Sequence, residues 1–177
     1  MKNLIGYFTR KRILIIIVIS SLLSIITFYV INSNDQGLQP IYIESFVLDD
    51  LDGQPLNILD VHNQEPLIIN FWATWCAPCR KEMPLLNNYY LTRNADQANV
   101  LGIAIDEIDQ VNSFIAELGI NFPVLVGQSE AYELMQTLGN TILTLPYTIV
   151  VNSEGLIIWS KSTEIKREDL EQIQQLQ

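Results

Sequence analysis

Histidine and cysteine are almost missing from this sequence, which has one His and two Cys in 177 residues. A structural zinc site ordinarily takes about four N or S ligands, so a zinc knuckle is excluded. Basic residues are also scarce: there are ten against 20 acidic ones, and Lys2, Arg10, Lys11 and Arg12 account for four of the ten. Every acidic residue lies beyond residue 32, which leaves the rest of the chain strongly anionic. Such a surface argues against a nucleic-acid partner and against docking on anionic lipid. Internal repeats and low-complexity tracts are absent too. The 49% apolar content suffices for a packed core, and the length suits one domain plus a short appendage.

The appendage is at the front. After the basic residues 1–12, the stretch "ILIIIVISSLLSIITFYVI" (13–31) carries no charge. As a helix it would run roughly 28 Å, close to the hydrocarbon thickness of a bilayer. It exceeds the h-region of a cleaved signal peptide, about 7 to 15 residues, and no A-x-A site follows it. No Cys follows it directly, which excludes a lipoprotein-type anchor. The reading is a cytoplasmic basic segment (1–12), a transmembrane signal-anchor (13–31), a polar linker "NSNDQGLQP" (32–40) and an outer domain (41–177). That places a single-pass protein in the inner membrane, its domain facing the periplasm or extracytoplasmic side.

In the outer domain, "YIESFVLDDLDGQPLNI" has two short apolar segments around Asp52-Gly53, a hairpin signal. "PLIINFWA" (66–73) is a continuous apolar run, as expected of a strand buried on both faces. A helix is predicted from Pro78 to about Arg93, with Met83, Leu86, Tyr89 and Tyr90 on its apolar spacing and a kink at Pro84. Further strands are predicted at 99–106, in "FPVLVG" and on both sides of the Asn-Ser-Glu-Gly turn in 147–160. Further helices are predicted over 110–119, closed by Gly119, near 129–138 and in "REDLEQIQQL". Strands joined by helical crossovers imply an α/β fold, a mixed central sheet with helices on both faces.

Both cysteines fall in "NFWATWCAPCRKEMP" (70–84). As a staple, a C-x-x-C disulfide closes too small a loop to remove much chain entropy. Redox exchange fits better. Cys76 follows a buried strand and precedes a helix, where unsatisfied N–H groups and the macrodipole favour a thiolate. Cys79, one turn along, is placed to attack a mixed disulfide and release the product. Pro78 sits in the first turn, where its missing N–H costs nothing.

"FWATWCAPC" resembles the active-site signature of the thioredoxin superfamily. "WCAPCRKEMP", preceded by an anchor, is similar to its extracytoplasmic TlpA/ResA-like branch, over roughly residues 41–177. The resemblance implies a thioredoxin-like fold and a thiol-disulfide oxidoreductase with no cofactor beyond the Cys76–Cys79 pair. It implies an exposed nucleophile Cys76, a buried resolving Cys79, and a cis-proline at Pro146 in "TLPYTIV". Trp75, Ala77, Pro78, Leu145 and Pro146 would line the place where substrate docks, with Trp75 over the thiol and Trp72 in the core. The partners implied are proteins with disulfides, apocytochrome c among them, and a membrane thiol-relay protein as electron donor. The Ala77-Pro78 pair resembles the dipeptide of reducing thioredoxins.

Cytosolic thioredoxins carry a buried Asp six residues before the first cysteine, and the corresponding residue here is Asn70. Asparagine cannot shuttle a proton. In the TlpA/ResA-like branch a Glu just after the motif is implicated instead, and Glu82 occupies that place. Three residues past Cys79 on a helix, it shares that thiol's face and is expected to help deprotonate it, given partial burial and a raised pKa. His62 is read as surface structure, and Arg80 and Lys81 as solvated cations. Two other functions share this fold. A thiol peroxidase needs a reactive cysteine in a P-x-x-x-T-x-x-C context, which is missing. A copper-delivery protein usually spaces its cysteines by three and places a histidine after them, whereas here the spacing is two and His62 comes before.

Overall fold

The computed structural model describes residues 17–28 and 40–176. The chain divides between residues 39 and 40 into two units. In the first, residues 17–28 form a helix, α1. The basic segment 1–12, most of the linker and both ends of the expected 13–31 span lie outside the described residues. Among the described residues no helix is long and apolar enough to cross a membrane.

The second unit has the element order β1 (Val47–Asp50), β2 (Pro55–Asn57), α2 (Ile58–His62), β3 (Leu67–Trp72), α3 (Ala77–Thr92), β4 (Asn99–Ile105), α4 (Ile108–Leu118), β5 (Val124–Gly127), α5 (Ser129–Thr137), β6 (Tyr147–Val151), β7 (Ile157–Lys161) and α6 (Arg167–Gln174). The seven strands form one sheet in the order β2-β1-β5-β4-β3-β6-β7. β3, β4 and β5 run parallel, and the other pairings are antiparallel. The sheet is therefore mixed, with β3 and β4 at its centre, as the apolar runs of those segments require.

Alternation along the strands divides the core in two. Ile68 and Trp72 of β3, Val100 and Ala104 of β4, and Val150 of β6 join Met83 and Leu86 of α3, Phe114 of α4 and Ile173 of α6 on one face. Ile69, Phe71, Leu101, Ile103 and Ile149 join Ile58 of α2 and Leu134 and Met135 of α5 on the other. Asn70 and Thr148 are register partners and fall on the first face by the same alternation. They are two polar residues among apolar neighbours, and both are fully buried. Gly102, beside Asn70 in the ladder, leaves space that any side chain would contest, since a Cβ there would stand 3.0 Å from Nε1 of Trp72.

Local signals explain the element ends. Gly119 closes α4 in the left-handed conformation at φ 62°. Gly53 takes φ 73° in the β1–β2 turn. Pro84, where a kink is expected, lies inside α3, which continues past it to Thr92. One element was not foreseen: α2, a short helix capped at its start by the side chain of Asn57 and closed by Asn63 in the left-handed region. It corrects the reading of His62, which ends α2 and is buried, with Nε2 2.8 Å from the carbonyl oxygen of Asn152.

Candidate active site

β3 delivers the chain from the middle of the sheet to Cys76, the N-cap of α3, which has extended backbone at φ −84° and ψ 103°. The cysteines form a disulfide. Sγ of Cys76 accepts a hydrogen bond from the N–H of Cys79 at 3.3 Å, so a backbone donor of the helix N-terminus addresses this sulfur. Pro78 occupies the first turn of α3. Cys79 is fully covered, and Cys76 keeps only 5% of its surface. The expectation of an exposed Cys76 is thus corrected for the disulfide form. As N-cap, its side chain turns back onto the helix instead of out to solvent.

Around the disulfide, Trp75, Ala77 and Pro78 are exposed, with Trp75 at 64%. Trp72 is fully buried and packs on Phe114 with ring centroids 5.2 Å apart. Leu145 is half-buried and packs against the apolar cluster that contains both cysteines. Pro146 is buried, and the Leu145–Pro146 bond is cis. Arg80 is held rather than merely solvated. Its guanidinium lies 4.6 Å from the Phe114 ring centroid, and Nη1 donates to the carbonyl of Thr74.

Glu82, one turn beyond Cys79, is buried. Its Oε2 accepts from the N–H of Ile165 at 2.5 Å, and its Oε1 accepts from Nδ2 of Asn70 at 2.8 Å. Desolvation pushes its pKa up to about 7 against the opposing pull of these two donors. A group titrating there can both take and return a proton near neutral pH. Nδ2 of Asn70 also donates to Oγ1 of Thr148 at 2.9 Å. Oδ1 of Asn70 is buried and has no hydrogen-bond partner.

These contacts, and one more at Asp106, are not predicted by the sequence. Asn70 was noted only for what it cannot do, and Thr148 and Ile165 carry no local motif. Asp106, at the end of β4, accepts from the N–H of Thr74 at 3.0 Å and from its hydroxyl at 2.5 Å, fixing the turn before Trp75. A carboxylate following a central parallel strand was the available signal for it. Asp106 also lines a groove of about 430 Å³ shared with Trp75, Glu107 and Tyr132. A larger groove of about 700 Å³, along β1 and β5, shares Asp106 and Glu107 with it but includes neither cysteine. Among the described residues no three His, Cys, Asp or Glu side chains gather as a metal site.

Comparison with known proteins agrees with this geometry. The model of the AhpC/TSA family matches residues 42–160. The chain is 30% identical over 129 residues to the thiol-disulfide oxidoreductase ResA of Bacillus thuringiensis subsp. konkukian, covering 72% of each protein. It is 29% identical over 119 residues to ResA of Bacillus subtilis, covering 64% of this chain and 62% of that one. A solved thiol:disulfide interchange protein of the thioredoxin family from Chlorobium tepidum TLS superposes with a TM-score of 0.68 at 24% identity. That superposition covers 78% of this chain and 96% of the other, and it shows the thioredoxin-like fold.

Proposed function

From the premise that the chain belongs to the AhpC/TSA family and is a thiol-disulfide oxidoreductase of the ResA type, we propose that it reduces protein disulfides outside the cytoplasmic membrane, to which residues 13–31 anchor it. The observation that carries this reading is the buried Glu82 carboxyl one turn from the covered cysteine of a disulfide at a helix N-terminus.

In the reduced protein, the Cys76 thiolate attacks a disulfide of the client. One client sulfur leaves as a thiolate and takes from solvent the proton that Cys76 had released, and Cys76 is joined to the other. Glu82 takes the proton of Cys79. The Cys79 thiolate then attacks Sγ of Cys76 and expels the second client sulfur as a thiolate, which takes up the proton held by Glu82, leaving the Cys76–Cys79 disulfide. Two electrons and two protons pass to the client. Trp75, Ala77, Pro78 and the Leu145–Pro146 segment form the docking surface, where an exposed aromatic ring supplies contact area at little entropic cost.

The anchor is supported by the uncharged sequence of 13–31 and by the apolar side chains that α1 leaves exposed, such as Ile17, Leu22 and Phe28. Outside the membrane the disulfide form would accumulate, so the cycle needs electrons from a membrane thiol-relay protein. Apocytochrome c is the client class that the family resemblance suggests, which would give the protein a place in cytochrome c maturation.

The test is a redox titration of the Cys76–Cys79 couple in the full chain, held in detergent and read by Trp75 fluorescence. A midpoint below about −230 mV supports the reductase; one near about −120 mV makes the protein an oxidase.

A further inference from the structure

Asn70 sits on the site face of the sheet, with one amide end fully engaged and the other buried without a partner. Nδ2 holds Oε1 of Glu82 at 2.8 Å and Oγ1 of Thr148 at 2.9 Å. Oδ1 has no donor, and the residue is fully buried. A buried amide oxygen left without a donor costs about 1–3 kcal/mol. A leucine would fill similar space without that cost, so the amide calls for a reason.

Both oxygens of Glu82 accept from donors, the amide of Asn70 and the N–H of Ile165. That arrangement suits an ionised carboxylate. Once Glu82 carries a proton on Oε1, an N–H end facing it is mismatched. An amide side chain solves this by turning half a revolution about its last torsion, because its O and NH2 ends have nearly the same size. The hydroxyl of Thr148 can either accept or donate, so it can serve either orientation.

We propose that Asn70 is a positioning residue for Glu82. Its amide presents Nδ2 to the carboxylate and Oδ1 to the carboxylic acid, with the Thr148 hydroxyl reversing in step. The step moves no electrons: Cys79 gives a proton to Glu82, one S–H bond breaks, one O–H bond forms, and the amide turns. Glu82 then stays in one place through the cycle, hydrogen-bonded in both charge states.

The charged groups that act on Glu82 are Glu164, which disfavours its charge, and Lys161, which favours it. Lys161 lies 2.6 Å from Asp169, so its own charge is largely answered. β3 and β6 present only the neutral Asn70 and Thr148 at this point. The amide is accordingly the nearest responsive group. This inference rests on the reading of Glu82 as the proton acceptor of Cys79.

The experiment is infrared difference spectroscopy of the full chain in detergent between pH 5 and pH 9, with asparagine isotopically labelled and thiol-disulfide exchange measured on the same samples. The expected result is an Asn amide carbonyl band that shifts along the same titration curve as a carboxyl band. Asn70→Leu removes the amide shift. Thr148→Val weakens the amide shift and Thr148→Ser restores it.

A wild-type carboxyl titration with no amide shift overturns the proposal, and this outcome depends on no variant folding. An amide shift that persists in folded Asn70→Leu overturns it as well, because the turning amide is then another asparagine's. Exchange activity without the amide shift sinks this inference and leaves the redox reading standing. The amide shift without exchange activity upholds the coupling and sinks the redox reading.

Discussion

The backbone N–H of Ile165 donates to Oε2 of Glu82 across 2.5 Å, although 83 residues separate the two in sequence. The contact ties the segment between β7 and α6 to the first turns of α3. It gives a buried carboxylate one of the two donors that make its charge tolerable beneath the sheet-side apolar cluster. Burial still wins over both donors, which is why Glu82 titrates near 7 instead of in the usual carboxylate range.

The first consequence concerns rate. Glu82 can accept the Cys79 proton only when ionised, so resolution of the mixed disulfide should rise as pH passes about 7. In Glu82→Gln that inflection disappears, and the rate at pH 8 falls about 100-fold, the range of a lost general base. Stopped-flow exchange with a peptide disulfide from pH 5 to 9 checks this. An unchanged profile removes Glu82 from the mechanism.

The same shift has a sign for stability. A carboxyl whose pKa is raised on folding binds its proton more tightly in the native state, so its contribution is fully present below about 4.5 and is lost as pH rises through about 7. The loss is on the order of 3 kcal/mol across that window. Glu82→Gln should therefore flatten the stability profile there and be the more stable protein at pH 8. Urea denaturation at pH 4.5 and pH 8 measures both arms.

The division of labour between the sulfurs can be trapped. Cys79→Ser should accumulate a mixed disulfide between Cys76 and the client, visible on non-reducing gels and by mass spectrometry, because the resolving thiol is gone. Cys76→Ser should form none. A Cys76→Ser variant that still captures client would reverse the assignment.

Trp75 leaves 64% of its surface to solvent beside a nearly covered disulfide. Trp75→Ala should raise KM for a protein disulfide about tenfold, as loss of an aromatic anchor does, while reaction with dithiothreitol is unchanged. If both reactions slow equally, the ring shapes the disulfide and does not dock substrate.

Much of the fold was legible along the chain. The apolar runs in "PLIINFWA" and "NVLGIAID" became β3 and β4, the spacing of Val111 and Phe114 became the buried face of α4, and Gly119 closed that helix. Local rules suffice where period and terminal residues agree. They missed α2, because five residues give too short a period to read, and with it the burial of His62.

The site divides in the same way. The sequence by itself determined the thiol pair, its place at the start of a helix and the carboxyl one turn on, because all of these lie within seven consecutive residues of one element. Tertiary structure alone decided what surrounds that carboxyl. Asn70 comes from β3, Thr148 from its register partner β6, and Ile165 from the approach to α6. The proton affinity of Glu82 comes from desolvation set against those donors, a balance of contacts between elements far apart in the chain that no local pattern encodes.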